Sequence, residues 1–365
     1  MPASKKSSKK SYLASAPTAF AGANTGSGFI SFYDSIFSEE KLAGLYIIKG
    51  GSGTGKSTFM KKLGEVAAKS GCACEKYLCG SDEDSLDGLL IHGKTGKTVG
   101  VIDGTPPHPK ELRSPGAAGD ILNFGEFWDS CGLMEKRSEI EGIVKEKGVL
   151  FDTAYRYLGA AERINRHVST LAAGAYLREK SAAAASRLVS SIGVRGKACN
   201  RQLSGYTMKG CASLAPAFGE IREYIVMGDS DFGKLFLADA ESCIKEKGIS
   251  AQISRSPLNL TSVEGIYFPE SRVWLHIGCI DDSSSPEKII NVRRFIDSEK
   301  LSSFRQRLRF GQKCRKALLE GAEQSLAVAR EKHFALEAIY KDYMNFDALE
   351  EKAEIWRKEI LSRVE

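Results

Sequence analysis

The string Gly50-Gly51-Ser52-Gly53-Thr54-Gly55-Lys56-Ser57-Thr58 constrains this chain more than any other stretch. Glycines at this density let a backbone turn tightly and aim successive N–H groups inward at a phosphate chain. A following lysine places a point charge on the distal phosphates, and a following serine offers its hydroxyl to a magnesium ion. The flanks serve the same purpose. Leu45-Tyr46-Ile47-Ile48 is an unbroken apolar run, expected as a buried parallel strand. After Lys56, the residues Phe59, Met60, Leu63, Val66 and Ala67 recur at helical spacing, and Gly71 stands where the helix should end. Strand, glycine loop and helix together put an anion on a helix N-terminus. The expected binding residues are Gly51, Ser52, Gly53, Thr54, Gly55, Lys56, Ser57 and Thr58.

A partner for the loop follows at Val99-Gly100-Val101-Ile102-Asp103, an apolar strand ending in a carboxylate. This is the Walker B pattern, so Ser57 and Asp103 are the expected Mg2+ residues, and Lys56 and Asp103 the expected catalytic pair. ATP is the expected ligand, since no Asn-Lys-x-Asp guanine-reading string occurs. Gly88-Leu89-Leu90-Ile91-His92-Gly93-Lys94-Thr95 also fits the loop's formal spacing. Its middle residues look like a strand, more strand follows, and the acidic run Asp82–Asp87 upstream would repel phosphate. It is expected to be a hairpin.

The sequence is expected to be neither membrane-spanning nor exported. An apolar share of 42% and a charged share of 27% are ordinary for a globular chain. No apolar run approaches the roughly 20 residues that span a bilayer. The first ten residues are rich in Lys and Ser, without the apolar core of a signal peptide. Residues 1–17 are expected to be a disordered basic tail. Nine scattered cysteines suggest reduced thiols in a cytoplasm, and Cys72, Cys74 and Cys79 lack zinc-ligand spacing. Beyond the tail, Lys and Arg are mixed with Glu, which argues against nucleic-acid binding.

The chain repeats itself. Thr25, Gly28 and Ser31 meet Thr207, Gly210 and Ser213, and Tyr46-Ile47-Ile48-Lys49-Gly50 meets Tyr224-Ile225-Val226-Met227-Gly228. Gly55-Lys56 falls on Gly233-Lys234, and Ile121-Leu122-Asn123 with Phe127 and Asp129 on Ile289-Ile290-Asn291 with Phe295 and Asp297. The copies differ where chemistry is expected. The second loop has Asp229 and Asp231 among its middle residues, Leu235 replaces Ser57, and Ile277 replaces Asp103. The second copy is expected to be a pseudo-site that binds no Mg-nucleotide. Segments without an internal proline and rich in Ala, Glu, Lys, Arg and Leu close each copy, near 126–192 and 286–365, and are expected to be long helices. The expected fold class is α/β: two tandem P-loop domains, 18–198 and 199–365, each a parallel sheet flanked by helices with a helical extension.

From Phe20 onward the chain resembles a family of uncharacterised bacterial tandem P-loop ATPases. The resemblance rests on Phe20-Ala21-Gly22-Ala23-Asn24-Thr25, Gly28-Phe29 with Ser31-Phe32-Tyr33-Asp34, the glycine loop, Ser85-Leu86-Asp87-Gly88, Asp103-Gly104-Thr105 with Pro107-His108, and Phe127-Trp128-Asp129. It implies ATP binding and hydrolysis and names no substrate. The family's second half usually keeps a good Walker A, which this chain has lost.

Three reactions fit these motifs: ATP hydrolysis driving a conformational change, phosphoryl transfer to a small acceptor, and nucleotide-gated binding with little turnover. Gly104 occupies the place after the Walker B aspartate where many ATPases carry a water-polarising glutamate. Asp82, Glu83 or Asp84 are candidate bases, against the blander reading of a solvated helix cap. His108 is a candidate γ-phosphate sensor, against an ordinary loop histidine. Arg113, Arg255 and Arg272 are candidate transition-state cations. The long helices are expected to pack on each other or on a second subunit, and the protein partner or acceptor is left open.

Overall fold

The computed structural model describes residues 16–107, 109–217, 219–279 and 285–365. Most of the expected basic tail, and His108, lie outside the described residues. The first half opens with β1 (Thr18–Phe20), the hairpin β2 (Gly22–Thr25) and β3 (Gly28–Ser31), and a single turn α1 (Tyr33–Ile36). Then come β4 (Gly44–Lys49), α2 (Lys56–Lys69), β5 (Ala73–Leu78), β6 (Leu86–His92), β7 (Thr98–Asp103) and β8 (Gly119–Asn123). Three helices end it: α3 (Ser130–Glu135), α4 (Arg137–Gly174) and α5 (Arg178–Ile192). The second half repeats the plan as β9 (Ala198–Asn200), β10 (Ser204–Thr207), β11 (Gly210–Ser213), β12 (Arg222–Met227), α6 (Ser230–Lys247), β13 (Ala251–Arg255), β14 (Val263–Phe268), β15 (Val273–Ile277), β16 (Lys288–Asn291), α7 (Ser298–Asp342) and α8 (Phe346–Ser362).

Each half is an α/β domain with a six-stranded sheet, in the order β1-β5-β6-β7-β4-β8 and β9-β13-β14-β15-β12-β16. The sheets are mixed rather than wholly parallel. β6 runs antiparallel to both β5 and β7, and β14 to both β13 and β15; the remaining pairings are parallel. The reason is local. The connection from β6 to β7 is a short turn at Gly93–Lys97, too short for the crossover that parallel strands need. The second Walker-like string lies on β6 and this turn, as its apolar middle implies. β4 is flanked on both sides by parallel strands, so Leu45, Tyr46, Ile47 and Ile48 are all buried.

The repeat is a two-fold relation, and it is legible in single hydrogen bonds. Leu177 N–H donates to Phe295 O, and Asn345 N–H to Phe127 O. Asp129 N–H donates to Tyr343 O, and Asp297 N–H to Ala175 O. Isolated bridges join Trp128 to Met344 and Tyr176 to Ile296. Each pair maps onto its mate when residues of the first half are advanced by 168 positions, the separation of Phe127 from Phe295. α4 buries Ala154, Leu158 and Ala161, and α7 buries Ala322, Leu326 and Ala329, at the same separation. These two helices, 38 and 45 residues long, pack side by side over much of their length of about 57 and 68 Å.

The halves exchange their last helices. α8, at the C-terminal end of the sequence, packs into the core of the first half beside Tyr46, Phe59 and Phe124. α5, from the first half, packs into the core of the second beside Phe236, Leu237 and Ile244. A division at 198/199 therefore falls one residue inside β9 and does not separate the two cores. Trp356 of α8 stacks on Phe124, with centroids 5.8 Å apart, and meets Phe59 edge-on at 6.4 Å. Trp356→Ala removes a buried aromatic from this cluster and is expected to cost about 3–5 kcal/mol. Hydrogen exchange should localise the loss to β4 and α2, more than 280 residues away in sequence; protection lost only around α8 would contradict the exchange.

The sheet edges are tied too. Phe20 N–H donates to Gln202 O at 2.8 Å, and Asn24, fully buried in the first hairpin, donates to Tyr206 O in the second. Glu75 of β5 accepts from Arg201 at 2.9 Å and faces His92 at 3.2 Å. The His92 hydrogen bond, with Arg201 and Tyr77, outweighs burial and holds the Glu75 carboxyl down to about 2, from an ordinary 4.5. A lowered folded-state value stabilises above the unfolded-state value and is lost as pH falls toward the folded one. Between about pH 4.5 and 2 the native state is expected to lose on the order of 2–3 kcal/mol through this group. Glu75→Gln should flatten that part of the acid-denaturation curve; an unchanged curve would contradict the assignment. No helix among the described residues is long and apolar enough to cross a membrane. The nine cysteines are free thiols.

Candidate functional site

The glycine string forms a loop between the end of β4 and the start of α2. Gly53 and Gly55 take φ values of +74° and +89°, which side chains disfavour. α2 begins only at Lys56, so the loop stays open ahead of the helix. Among the described residues, apart from a weak turn at Ser52–Gly53, no backbone N–H from Gly51 to Ser57 makes a well-formed hydrogen bond to a protein acceptor. A run of unpaired N–H groups at a helix N-terminus is an anion cradle. Lys56 arches back over the loop, its Nζ donating to Gly50 O at 3.0 Å and Gly51 O at 2.6 Å. The same nitrogen lies 3.5 Å from Asp103 Oδ2. Ser57 Oγ accepts from Leu86 N–H at 2.9 Å. Lys56, Ser57 and Asp103 thus converge at the C-terminal edge of the sheet, where open α/β sheets hold ligands.

The glycines also serve packing. A Cβ on Gly51 would lie 2.8 Å from the Tyr340 ring, and one on Gly53 would lie 2.6 Å from Glu337 O. α7, from the second half, therefore lies directly against the loop. α4 covers the other side, and the two helices with the loop enclose a cavity of about 1000 Å3. Its polar floor is the loop with Asp82, Asp87 and Asp103; its upper wall includes Phe151, Tyr155, Leu336 and Tyr340. Met208, from the second hairpin, reaches the same cavity, and its N–H donates to Ser81 O at 2.7 Å. One site draws on both halves.

The second copy lacks the cradle. Asp229 caps α6 by accepting from Asp231 N–H at 3.0 Å, and the helix starts at Ser230, four positions earlier relative to Lys234 than α2 does relative to itself at Lys56. Gly233 N–H is spent on Asp229 O. The loop has been wound into the first turn of the helix. The aspartates do more than repel phosphate. The Asp231 side chain is fully buried and held by Arg315 at 2.6 and 3.1 Å, and Gln312 bonds both Asp229 and Asp231 at 2.9 Å.

Comparison with protein-family models, with curated proteins and with solved structures returns no match to this chain. The site is therefore read from its own geometry.

Asp87 belongs to the site, although its motif gave no chemical hint. It sits opposite Asp103 across the β6–β7 pair, and Tyr33 Oη donates to the backbone oxygens of both, at 2.8 and 3.0 Å. Burial, with Asp103 beside it, pushes the Asp87 carboxyl well above the usual carboxylate range. The acidic loop is a turn, not a helix cap: Asp84 N–H donates to Asp82 Oδ1, and Ser85 N–H to Asp82 O. Lys209 from the second hairpin pairs with Asp84, leaving Asp82 as the less encumbered candidate base.

None of the candidate arginines lines the cavity. Arg113 pairs with Glu40, Arg255 with Glu241, and Arg272 donates to Glu220 O. Among the described residues no group of three or more His, Cys, Asp or Glu could hold a metal alone. That is compatible with Mg2+, which usually takes one or two protein ligands with substrate phosphates and water. Ser57 and Asp103 beside an open N–H cradle fit that pattern.

Proposed function

We propose that the first half binds Mg-ATP and hydrolyses it, and that the second half is a structural copy without a nucleotide. What carries this reading is the contrast between the loops: the first leaves its backbone N–H groups from Gly51 to Ser57 open apart from one weak turn at Ser52–Gly53, and the second folds its own into a capped helix. The backbone of Gly51–Gly55 would bind the phosphates, and Lys56 would move from the loop carbonyls onto them. Ser57 and Asp103 would hold Mg2+, which neutralises phosphate charge. α4 and α7 wall the cavity on two sides, and Asp82 is the carboxylate available to orient the attacking water. The motif resemblance to tandem P-loop ATPases points the same way.

A second reading has one observation in its favour. A cavity of about 1000 Å3 is at the large end for a single small ligand. A kinase transferring phosphate to a small acceptor beneath Phe151 and Leu336 would use that room. Titration with a fluorescent ATP analogue and Mg2+ tests the shared premise. Saturable binding lost in Lys56→Ala is expected; equal binding by both chains, or none by the intact one, would remove it.

A further inference from the structure

The pseudo-site shows where the first site needs a cation that no motif reveals. Advancing the first half by 168 positions brings Lys147 of α4 onto Arg315 of α7. The loop correspondence places Gly53 on Asp231, since Gly55-Lys56 falls on Gly233-Lys234. In the second half these two positions are in contact: Arg315 clamps the Asp231 carboxylate at 2.6 and 3.1 Å. That half carries its anion covalently, on the loop, beneath a cation from the long helix. In the first half the loop position is a glycine with no anion to offer, yet the cation persists.

Lys147 lines the cavity with the glycine loop, Lys56 and Asp103. It is half-buried, and burial lowers the pKa of its ammonium. Among the described residues it makes no hydrogen bond and no ion pair. A lysine drawn partly out of water, with the Glu337 charge nearby but no hydrogen-bonded counter-ion, forfeits hydration that an arriving anion would restore. The supporting position also faces the first site, although its residue differs and pairs with Glu337 at 3.4 Å. Arg315 is steadied by Asn165 at 2.6 Å, and the residue 168 positions beyond Asn165 is His333, which lines the same cavity as Lys147.

We infer that Lys147 grips the distal phosphates of the nucleotide in the first site, doing for substrate what Arg315 does for Asp231. The inference rests on the nucleotide reading above. It gives that site a cation in cis, from its own half, in place of the arginines weighed from the sequence. Lysine suits a ligand that must leave, being a strongly hydrated point charge, whereas arginine's fork suits the permanent carboxylate.

The test compares the intact chain with Lys147→Met, which keeps the apolar stem, and Lys147→Arg, which keeps the charge. Mg-ATP affinity is measured by titration and turnover by phosphate release, with Lys56→Ala as control. Lys147→Met should bind Mg-ATP at least about tenfold more weakly and turn it over roughly 10²–10³-fold more slowly, with Lys147→Arg restoring most of both. A packing role would leave Lys147→Met close to the intact chain. The inference is overturned if the intact chain binds Mg-ATP and Lys147→Met matches it in affinity and rate, or if Lys147→Arg fares no better than Lys147→Met. Absence of Mg-ATP binding by the intact chain would instead bring down the nucleotide reading, and the inference with it.

Discussion

Asp231→Ala is expected to cost about 3–5 kcal/mol of stability, because it strands the Arg315 guanidinium without its counter-charge. The Asp231 side chain is fully buried and that of Arg315 is only 13% exposed. Gln312 would lose one of its two acceptors as well. Breaking a buried pair from one side costs far more than the pair contributes, since the remaining ion keeps its desolvation penalty without compensation. The double substitution Asp231→Ala with Arg315→Met should therefore recover most of the loss. Urea denaturation of the two chains measures both. A single variant within about 1 kcal/mol of the intact chain would mean that the pair is hydrated and not the internal anion site described above.

Lys56→Ala is expected to lower nucleotide turnover by at least about 10³-fold, a larger effect than loss of one oxyanion donor. The ammonium lies 3.5 Å from Asp103 and within 3.0 Å of two loop carbonyls, so it sits between that carboxylate and the loop. On the proposed function, removing it leaves the loop's backbone N–H groups but takes away the positive charge that would complement the distal phosphates. Folding should be little affected, because the loop's shape is set by Gly53, Gly55 and the packing of α7 at Glu337 and Tyr340. The variant should thus keep the intact chain's circular dichroism, with a melting temperature lowered because Asp103 loses its buried partner, while losing turnover. Comparable loss of circular dichroism and turnover would point to a structural role for Lys56 instead.

The parts of this architecture that local sequence could specify were legible in it. An apolar run, a glycine loop and a helical periodicity are short-range patterns, and they located β4, the loop and α2. The repeat was legible because matching residues keep their order, and it gave the correspondence on which the pseudo-site and Lys147 rest. The antiparallel β6 was half-visible: its apolar middle marked a strand, but strand direction depends on the turn at Gly93–Lys97 and not on composition. The exchange of α5 and α8 was not legible. Each helix presents an ordinary apolar face, and either domain's α/β layer could cover it; the choice is made by α4 and α7, whose pairing carries the chain across before each terminal helix begins. Asp87 and Lys147 were hidden for a different reason. Neither is spaced from the loop in any fixed way, and each reaches the site through tertiary structure, one across a β-pair and one down a helix.

The most direct measurement is ATP turnover with Mg2+, following ADP and free phosphate separately, for the intact chain and Lys56→Ala, with and without pooled nucleosides and nucleotides. ADP and phosphate appearing in equal amounts without an acceptor, and lost in Lys56→Ala, is the expected result. ADP without matching phosphate, and only when an acceptor is present, would replace hydrolysis by phosphoryl transfer. Neither product from an intact chain that also fails to bind Mg-ATP would contradict the nucleotide site itself.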